Sequence, residues 1–500
     1  MVMVRLPSAL QRYADGSEHV EVDAATVGEA LAAACTVHPG LSTRLLAGDG
    51  AYLPHLAVFC GKKRVERSDA PSTPVRPEDV ITVLIGIAGG AHDVRMKGFR
   101  DRVSVDEALA AAMDGITPLP AEKIRSVEAL GRVLVDCVVS DVDVPSFRRS
   151  TMDGYAVRAD DTVGASAYSP IPLRLEGESM PGRAVIAGPA TGGAIRIMTG
   201  APLPIDADAV LRAEDASDAG ESVEVRAPVA PGRNVGRIGE DVEAGSPVLA
   251  AGRLIQPQDV GLLVAIGVTE VGVHRRPLVR VIVSGDELLA PGEVPGGTSI
   301  IDSNSPMLRS MVERDGGVVI EVLRLPDGRG PMEEALSRPG ADVVITAGAA
   351  SVGREDHTPG LIDELGTLLV HGVSMRPSSP TGLGKIDDRP VFLLPGNPVS
   401  CMVAYDFFAG PAIRILGGGS PAWPYAIGRF PLAGRLISQI GRTDYARVVV
   451  RGGLAEPLAI GGASVLSSVT RADGYVIIPP GSEGYAEGTE VEVGLYGGGP

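Results

Sequence analysis

Three short stretches place glycine beside hydroxyl, amide or carboxylate side chains immediately after an apolar run. They are Ser284-Gly285-Asp286-Glu287-Leu288, Ala347-Gly348-Ala349-Ala350-Ser351-Val352-Gly353 and Pro395-Gly396-Asn397-Pro398-Val399-Ser400. Turns of this composition expose backbone N–H groups, and together with the amino end of a following helix they can hold phosphates or other oxyanions. The competing reading is an ordinary strand-to-helix turn. One such loop says little, whereas three after successive strands point to an anion site. Metal-ligand spacing of the imidazole or thiolate type is absent. Cys35, Cys60, Cys137 and Cys401 form no Cys-x-x-Cys pair, and the seven histidines show no His-Glu-x-x-His. Four isolated, buried, reduced thiols are expected instead of a disulfide framework or a zinc site.

The elements that position these loops follow from hydrophobic period. LVRVIVS (278–284), VVIEVLRL (318–325), ADVVITAG (341–348) and PVFLLPG (390–396) read as buried strands. Helical patterns at 304–314 and 331–337, and one opening at Val399, alternate with them. Strand and helix in alternation predict a mostly parallel, doubly wound sheet with ligands at the carboxyl ends of its strands. Before it, about 165–230 reads as all-β, with mixed structure over 232–276. A capping box, Ser104-x-x-Glu107, starts a helix, and a short helix at 127–130 is expected to lead into a strand at 132–139. After about 424 the pattern is again β. The first ninety residues form a unit of their own, with strands at 2–6, 19–24, 55–61 and 79–88. A Thr26-x-x-Glu29 capping box opens an Ala/Leu-rich helix between the second and third strands, as a β-grasp requires.

Composition bounds the possibilities. Five hundred residues suggest about three domains. Forty-five basic against 62 acidic residues give a net charge of −17, and aromatic residues are scarce, so neither a nucleic-acid nor a membrane partner is expected. No signal sequence or bilayer-length apolar run is read, and the cytoplasm is the expected compartment.

Six strings carry a resemblance: SFRRSTMDGYAVRADD (146–161), IRIMTGAPLP (195–204), SGDEL (284–288), DSN (302–304), ITAGAASVGREDHT (345–358) and LLPGNPVS (393–400). In order and spacing they resemble the molybdopterin molybdenumtransferases, the family of MoeA and the E domain of gephyrin. The strand running into Gly89-Gly90 resembles the tail of ubiquitin-like sulfur carriers of the MoaD/ThiS type. There a tail without side chains threads into an activating enzyme and its carboxylate becomes an adenylate, then a thiocarboxylate. Here the chain continues through Ala91, so carrier chemistry requires cleavage after Gly90, and Gly89-Gly90 as a plain hinge is the alternative.

The resemblance implies a multidomain α/β and β fold. Its parts are a β-grasp at 1–90, a mixed linker domain at 91–144 with 232–276, and a β-rich insert at 145–231. A doubly wound MogA-like molybdopterin-binding domain at 277–418 and a small β domain at 424–497 complete it. It further implies insertion of molybdate into adenylylated molybdopterin with release of AMP, dependence on Mg²⁺, and a homodimer. A MoeB-like activating enzyme and the large subunit of molybdopterin synthase become partners if Gly90 is freed. Carried over residue by residue, Asp286, Glu287 and Asp356 are candidates for metal or phosphate-end chemistry, with helix-start charge as the alternative for the first two. Ser351, Gly353, Gly396, Asn397 and Ser400 are candidate nucleotide or oxyanion contacts. Asp153 and Thr199 are expected to reach a neighbouring protomer's site, an Asx-type turn being the other reading of Asp153.

Three departures bear on the anion pocket. Arg148-Arg149-Ser150 stands where the family has Asp-Asn-Ser. Arg376-Pro377-Ser378-Ser379-Pro380 stands for Lys-Pro-Gly-Lys-Pro, which leaves Arg376 as the oxyanion-binding candidate and Lys385 as a distant substitute for the second lysine. Gly348-Ala349-Ala350-Ser351 stands for Gly-Gly-Val-Ser. They leave open an impaired pterin-binding scaffold that presents a carrier domain, or an insertase retuned to tungstate or another substrate.

Overall fold

The computed structural model describes residues 2–6, 8–11, 13–47, 51–53, 56–61, 63–65, 67–77, 79–84, 102–348, 357–459 and 462–497. Gly89, Gly90, Ala349, Ala350, Ser351, Gly353 and Asp356 lie outside these residues. The chain forms two compact units, Met1–Leu119 with Arg276–Pro500, and Pro120–Arg275.

In the first unit the amino-terminal strand Val2–Arg5 is antiparallel to His19–Val22 and parallel to Val80–Leu84. Val80–Leu84 in turn pairs with Ala57–Cys60, and Lys63–Val65 closes the sheet. Alternation puts Val2, Val4, Val20, Val22, Val58, Ile81 and Val83 in one core with Ala30, Leu31 and Ala34 of the helix Val27–Val37. This is a β-grasp. Its fifth strand escapes sequence reading because Lys-Arg-Val is too short to alternate. The helix starts where expected, with the Glu29 amide donating to Thr26 Oγ1 at 3.2 Å. The returning carboxylate, however, accepts from Ala25 rather than from the cap itself.

The rest of this unit holds the parallel sheet. Its strands run in the order Val318–Leu325, Leu278–Ser284, Val343–Gly348, Arg389–Pro395, Gly382–Ile386, Thr367–His371. The first four are parallel, Gly382–Ile386 runs antiparallel to them, and Thr367–His371, antiparallel to Gly382–Ile386, again follows their direction. Apolar side chains fill both faces, as doubly wound sheets require. The chain leaves Leu278–Ser284 toward one edge and returns on the other side at Val343–Gly348, so the strand order reverses between these two. The helix Val105–Met113, with its full capping box, buries Val105, Ala108 and Ala112 in the core of this sheet. Residues Pro398–Leu416 form one continuous helix, long and apolar enough to cross a membrane, but 89% of it is buried in the core.

The carboxy-terminal sheet runs Met375–Arg376, Thr443–Arg451, Gly474–Ile478, Glu490–Leu495, Ala426–Pro431. Its first strand is lent by the segment that leads to Gly382–Ile386, and the register sets Arg376 opposite Asp444.

In the second unit six strands between Gly154 and Val225 form a sheet with an apolar cluster on each face. Beside it the pair Ala121–Arg125 and Glu270–His274 packs with the helix Pro257–Ala265. Here the sequence expectation needs correction. A single 3-10 turn, Ser126–Glu128, replaces the helix at 127–130, and only Val138–Val139 of the expected strand is regular. The strand before it, Ala121–Arg125, is largely exposed and shows no apolar alternation to read. The thiols are all free, but only Cys35 and Cys401 are buried; Cys60 is half-buried and Cys137 exposed, contrary to expectation. Burial alone pushes the Cys35 thiol up to about 11.

A buried ionic cluster ties helix Asn304–Arg314 to helix Pro398–Leu416. Arg314 donates to Asp315 and to Asp406 at 2.8 Å each, and its other arm donates to Tyr425 Oη at 2.6 Å. Tyr425 in turn donates to Asp406 at 2.9 Å. Both carboxylates are wholly buried. Replacing Arg314 by Met strands a buried charge, and the expected loss of unfolding free energy is about 3–5 kcal/mol in denaturant titration. A loss under about 1 kcal/mol would show that the cluster is not needed.

Candidate functional site at the carboxyl ends of the parallel strands

The carboxyl ends of three parallel strands meet where the strand order reverses. Gly348 ends Val343–Gly348 with φ +118°. A Cβ added there would lie 2.6 Å from the carbonyl oxygen of Ser284, the last residue of the neighbouring strand. No side chain fits, so glycine is obligatory. Gly396, after the third strand, packs on Gly348 in turn, its own Cβ direction pointing 3.3 Å from Gly348 Cα. Asn304, first residue of the helix Asn304–Arg314, donates from Nδ2 to the Gly396 carbonyl at 2.6 Å. Ser284, Gly348 and Gly396, where the three loops read as anion-binding turns begin, are therefore neighbours at one edge, where doubly wound sheets bind ligands.

The candidate residues among the described ones have definite places, while Ser351, Gly353 and Asp356 lie outside them. Gly396 and Asn397 are exposed at the amino end of the helix Pro398–Leu416. Asn397 precedes Pro398 and makes no side-chain cap, so its amide remains available to a ligand. Ser400 is buried, and its carbonyl accepts from Ser378 Oγ at 2.6 Å, which pins the 376–380 loop to the helix start. Asp286 and Glu287 are exposed after Leu278–Ser284. Asp286 Oδ1 accepts from the amide of Asp327 at 3.0 Å, which adds a third exposed acid, Asp327, that the sequence reading did not single out. Its signal was an acid just past the strand VVIEVLRL. Among the described residues no three His, Cys, Asp or Glu side chains are grouped tightly enough to hold a metal ion by themselves.

Arg376 is not a free oxyanion donor. It pairs with Asp444, which is completely buried. Ser438 Oγ also donates to Asp444 Oδ2 at 2.8 Å, and Arg442 Nε lies 3.0 Å from Oδ1 without hydrogen-bond geometry. Two guanidinium groups thus share one carboxylate and leave a net positive charge. Both remain partly solvent-facing, Arg376 at 34% and Arg442 at 23%. Their Nε atoms and the nearby Ser379 Oγ are shielded from water without a hydrogen bond. Arg442 and Asp444 were missed in the sequence because they lie far downstream, and only the Arg376–Asp444 register brings them to the loop. Lys385, the suggested substitute cation, is occupied elsewhere, donating to the Asp114 carbonyl at 2.6 Å.

In the second unit Asp153 and Thr199 come together although 46 residues apart. Asp153 Oδ1 accepts from Thr199 N at 2.7 Å and Oγ1 at 2.8 Å, so no local Asx turn uses it. Gly154 follows because a Cβ there would overlap the Leu211 carbonyl. Arg148 is exposed, whereas Arg149 pairs with Glu240 at 3.1 Å. A cavity of about 600 Å³ lined by Phe407, Trp423 and Tyr475 contains none of the candidate residues.

Comparison with known proteins identifies the family. Residues 103–267 match the model of the MoeA N-terminal region (domain I and II), 280–415 that of the "Probable molybdopterin binding domain", and 429–496 that of the MoeA C-terminal region (domain IV). A molybdopterin biosynthesis protein of Methanocaldococcus jannaschii is 34% identical over 396 residues, covering 75% of this chain and 92% of that protein. The chain belongs to the MoeA family. Molybdopterin molybdenumtransferase 2 of Mycobacterium tuberculosis is 33% identical, covering 73% of this chain and 93% of its own length. The MoeA crystal structure from Pyrococcus horikoshii matches with a TM-score of 0.68 at 34% identity, over 79% of this chain and all of its own. The MoeA models begin at residue 103, so the β-grasp lies ahead of the MoeA region.

The Thr199 amide and hydroxyl hold the Asp153 carboxyl below the usual carboxylate range. The stabilisation from this clasp is therefore present above the unfolded-state value and is lost only as pH falls through the depressed folded value. Thr199→Val should raise the titration midpoint of Asp153, read by carboxyl carbon NMR. An unchanged midpoint would show that the hydroxyl contributes nothing.

Proposed function

We propose that this MoeA-family protein inserts molybdate into adenylylated molybdopterin and releases AMP. The observation that carries this reading is the meeting of the Gly348, Gly396 and Asn304 turns at the strand-order reversal, beside the paired guanidinium groups of Arg376 and Arg442. The positive end of the helix Pro398–Leu416 receives the phosphates, with the Val399 amide already donated to the Ala463 carbonyl. Arg376 and Arg442, anchored on Asp444, present charge-assisted donors to the molybdate oxyanion, with Ser379 Oγ as a neutral third donor. Arg442 supplies the cation whose loss at Ser379 raised the scaffold reading, so that reading is not favoured.

Asp286 and Glu287 serve the phosphate end, with Asp356, Ser351 and Gly353 assigned to the same site by resemblance. Hard carboxylate oxygens suit Mg²⁺, which binds through one or two carboxylates with water and substrate phosphate oxygens. Among the described residues, Asp286 has one oxygen and Glu287 both of its own without a hydrogen bond, so the donor set fits such shared binding and not a closed protein cage. When bound, the cation would withdraw charge from the phosphoryl group. Asp286 meanwhile fixes the 326–328 turn through the Asp327 amide.

The partners follow from the same reading. A homodimer places the Asp153–Thr199 clasp at the partner protomer's site, and exposed Met152 and Met198 beside the two residues supply apolar contact area. The β-grasp acts as a sulfur carrier toward an activating enzyme once Gly90 is freed, and the protein works in the cytoplasm.

Purified protein incubated with adenylylated molybdopterin and Mg²⁺ should release AMP only when molybdate is added. Asp286→Asn should lower that release about 10- to 100-fold, the effect of losing one charge-assisted contact, without changing the oligomeric state. Tight binding with no release would contradict the insertase reading, and preference for tungstate would reassign the oxyanion.

A further inference from the structure

The second unit is acid-rich, with 22 Asp and Glu against 15 Lys and Arg over residues 120–275. Carboxylate partners are plentiful there, and most of its arginines form an ion pair with one. Arg148, Arg233 and Arg237 form none among the described residues, and all three are exposed. They lie on one pair of segments. Arg149–Ser150 is antiparallel to Val235–Gly236, with Gly236 opposite Arg149. Arg148 precedes the one strand and Arg237 follows the other, so the register brings both to the same end. Like charges set side by side across a strand pair repel. The carboxylate at hand does not relieve them, because Glu240 Oε1 accepts from Arg149 at 3.1 Å and Oε2 from the Arg237 amide at 3.0 Å. Gly236 leaves room for this carboxylate, since a Cβ there would lie 2.8 Å from Oε1. Asp143 is likewise committed, accepting from the Ala244 amide at 2.9 Å.

Guanidinium groups left in this way keep their fork of donors, which matches two oxygens of a phosphate at once. An acid-rich unit that keeps its own carboxylates away from three arginines leaves them to an anion from outside. The same acid excess repels a carboxylate-rich protein surface, whereas a small phosphate enters. We propose that Arg148, Arg237 and Arg233 form a phosphate-binding surface, braced by Arg149 on Glu240. Its ligand is a small molecule bearing one or two phosphate groups. The segment that carries Arg148 also runs beside the Asp153–Thr199 clasp, where the Ser150 amide donates to the Ala201 carbonyl at 2.9 Å and the Gly200 amide to the Ser150 carbonyl at 2.8 Å. In the homodimer proposed above, the phosphate held here is that of the nucleotide in the partner protomer's site. This assignment rests on the proposed function, and the binding itself does not.

Phenylglyoxal attacks accessible guanidinium groups, and its rate at each arginine of the full chain is read by mass spectrometry, alone and with pyrophosphate, AMP or citrate. Saturating pyrophosphate or AMP should slow modification of Arg148 and Arg237 about tenfold. Arg158, exposed and also without an ion pair among the described residues, should keep its rate. In Arg148→Asp the pyrophosphate concentration that half-protects Arg237 should rise at least about tenfold, as for one lost charge-assisted contact, with the unfolding midpoint unchanged. Equal rates with and without both phosphate probes would overturn the proposal. So would undiminished protection of Arg237 in Arg148→Asp, or protection by citrate at the same concentration as pyrophosphate, which would make this a carboxylate site. Protection by pyrophosphate but not by AMP would uphold the phosphate surface and remove its assignment to the nucleotide. The insertase reading fails separately, by the absence of molybdate-dependent AMP release.

Discussion

Asp444 is a carboxylate with no exposure to solvent, and a charge so placed must be met by cations and hydrogen bonds or it destabilises the fold. Here Arg376 and Ser438 hydrogen-bond to it and Arg442 lies alongside. Because Arg376 belongs to the loop that leads back into the parallel sheet, and Asp444 to the carboxy-terminal sheet, this one anchor fixes both sides of the proposed anion pocket. Two fixed positive groups against one negative group leave a surplus that an incoming oxyanion can neutralise. The guanidinium groups need no large rearrangement to do so, since the carboxylate already orients them.

The second constraint is steric. Ser284, Gly348 and Gly396 approach so closely that a side chain is excluded at Gly348 and would be crowded at Gly396. That closeness brings the ends of three strands together at one edge. It also explains why Asn304 can reach the Gly396 carbonyl across the site. Ser378 performs the matching task on the far side, tying the Arg376 loop to Ser400 at the helix start. The proposed anion pocket and phosphate surface are thereby held to the same helix.

Much of this was legible in the sequence, for identifiable reasons. The parallel strands at 278–284 and 343–348 are continuous apolar runs, the helix at 304–314 has a clear stripe, and the Ser104 capping box predicts its helix directly. Asp153 and Thr199 stood out as motif residues, but their mutual clasp depends on pairing between strands 154–157 and 193–197, which no local pattern encodes. Arg442 and Asp444 were invisible for the same reason: the parallel pairing of Met375–Arg376 with Thr443–Asp444 is a two-residue contact. Lys385 looked available by type and is not, because an Asp114 carbonyl 271 residues away claims it. Strand 121–125 failed to show because its side chains face solvent. Local period reveals elements, while pairing between distant segments decides which side chains meet.

The central claim is that Arg442 and Arg376, held by Asp444, form the oxyanion pocket. Equilibrium binding of molybdate to the pterin-free protein tests it most directly, comparing the unaltered chain with Arg442→Ala, sulfate serving as competitor. Saturable molybdate binding that weakens at least about tenfold in Arg442→Ala, as for one lost charge-assisted contact, with the unfolding midpoint little changed, is the predicted result. Equal affinity in both proteins would contradict the account and return the pair to a purely structural role.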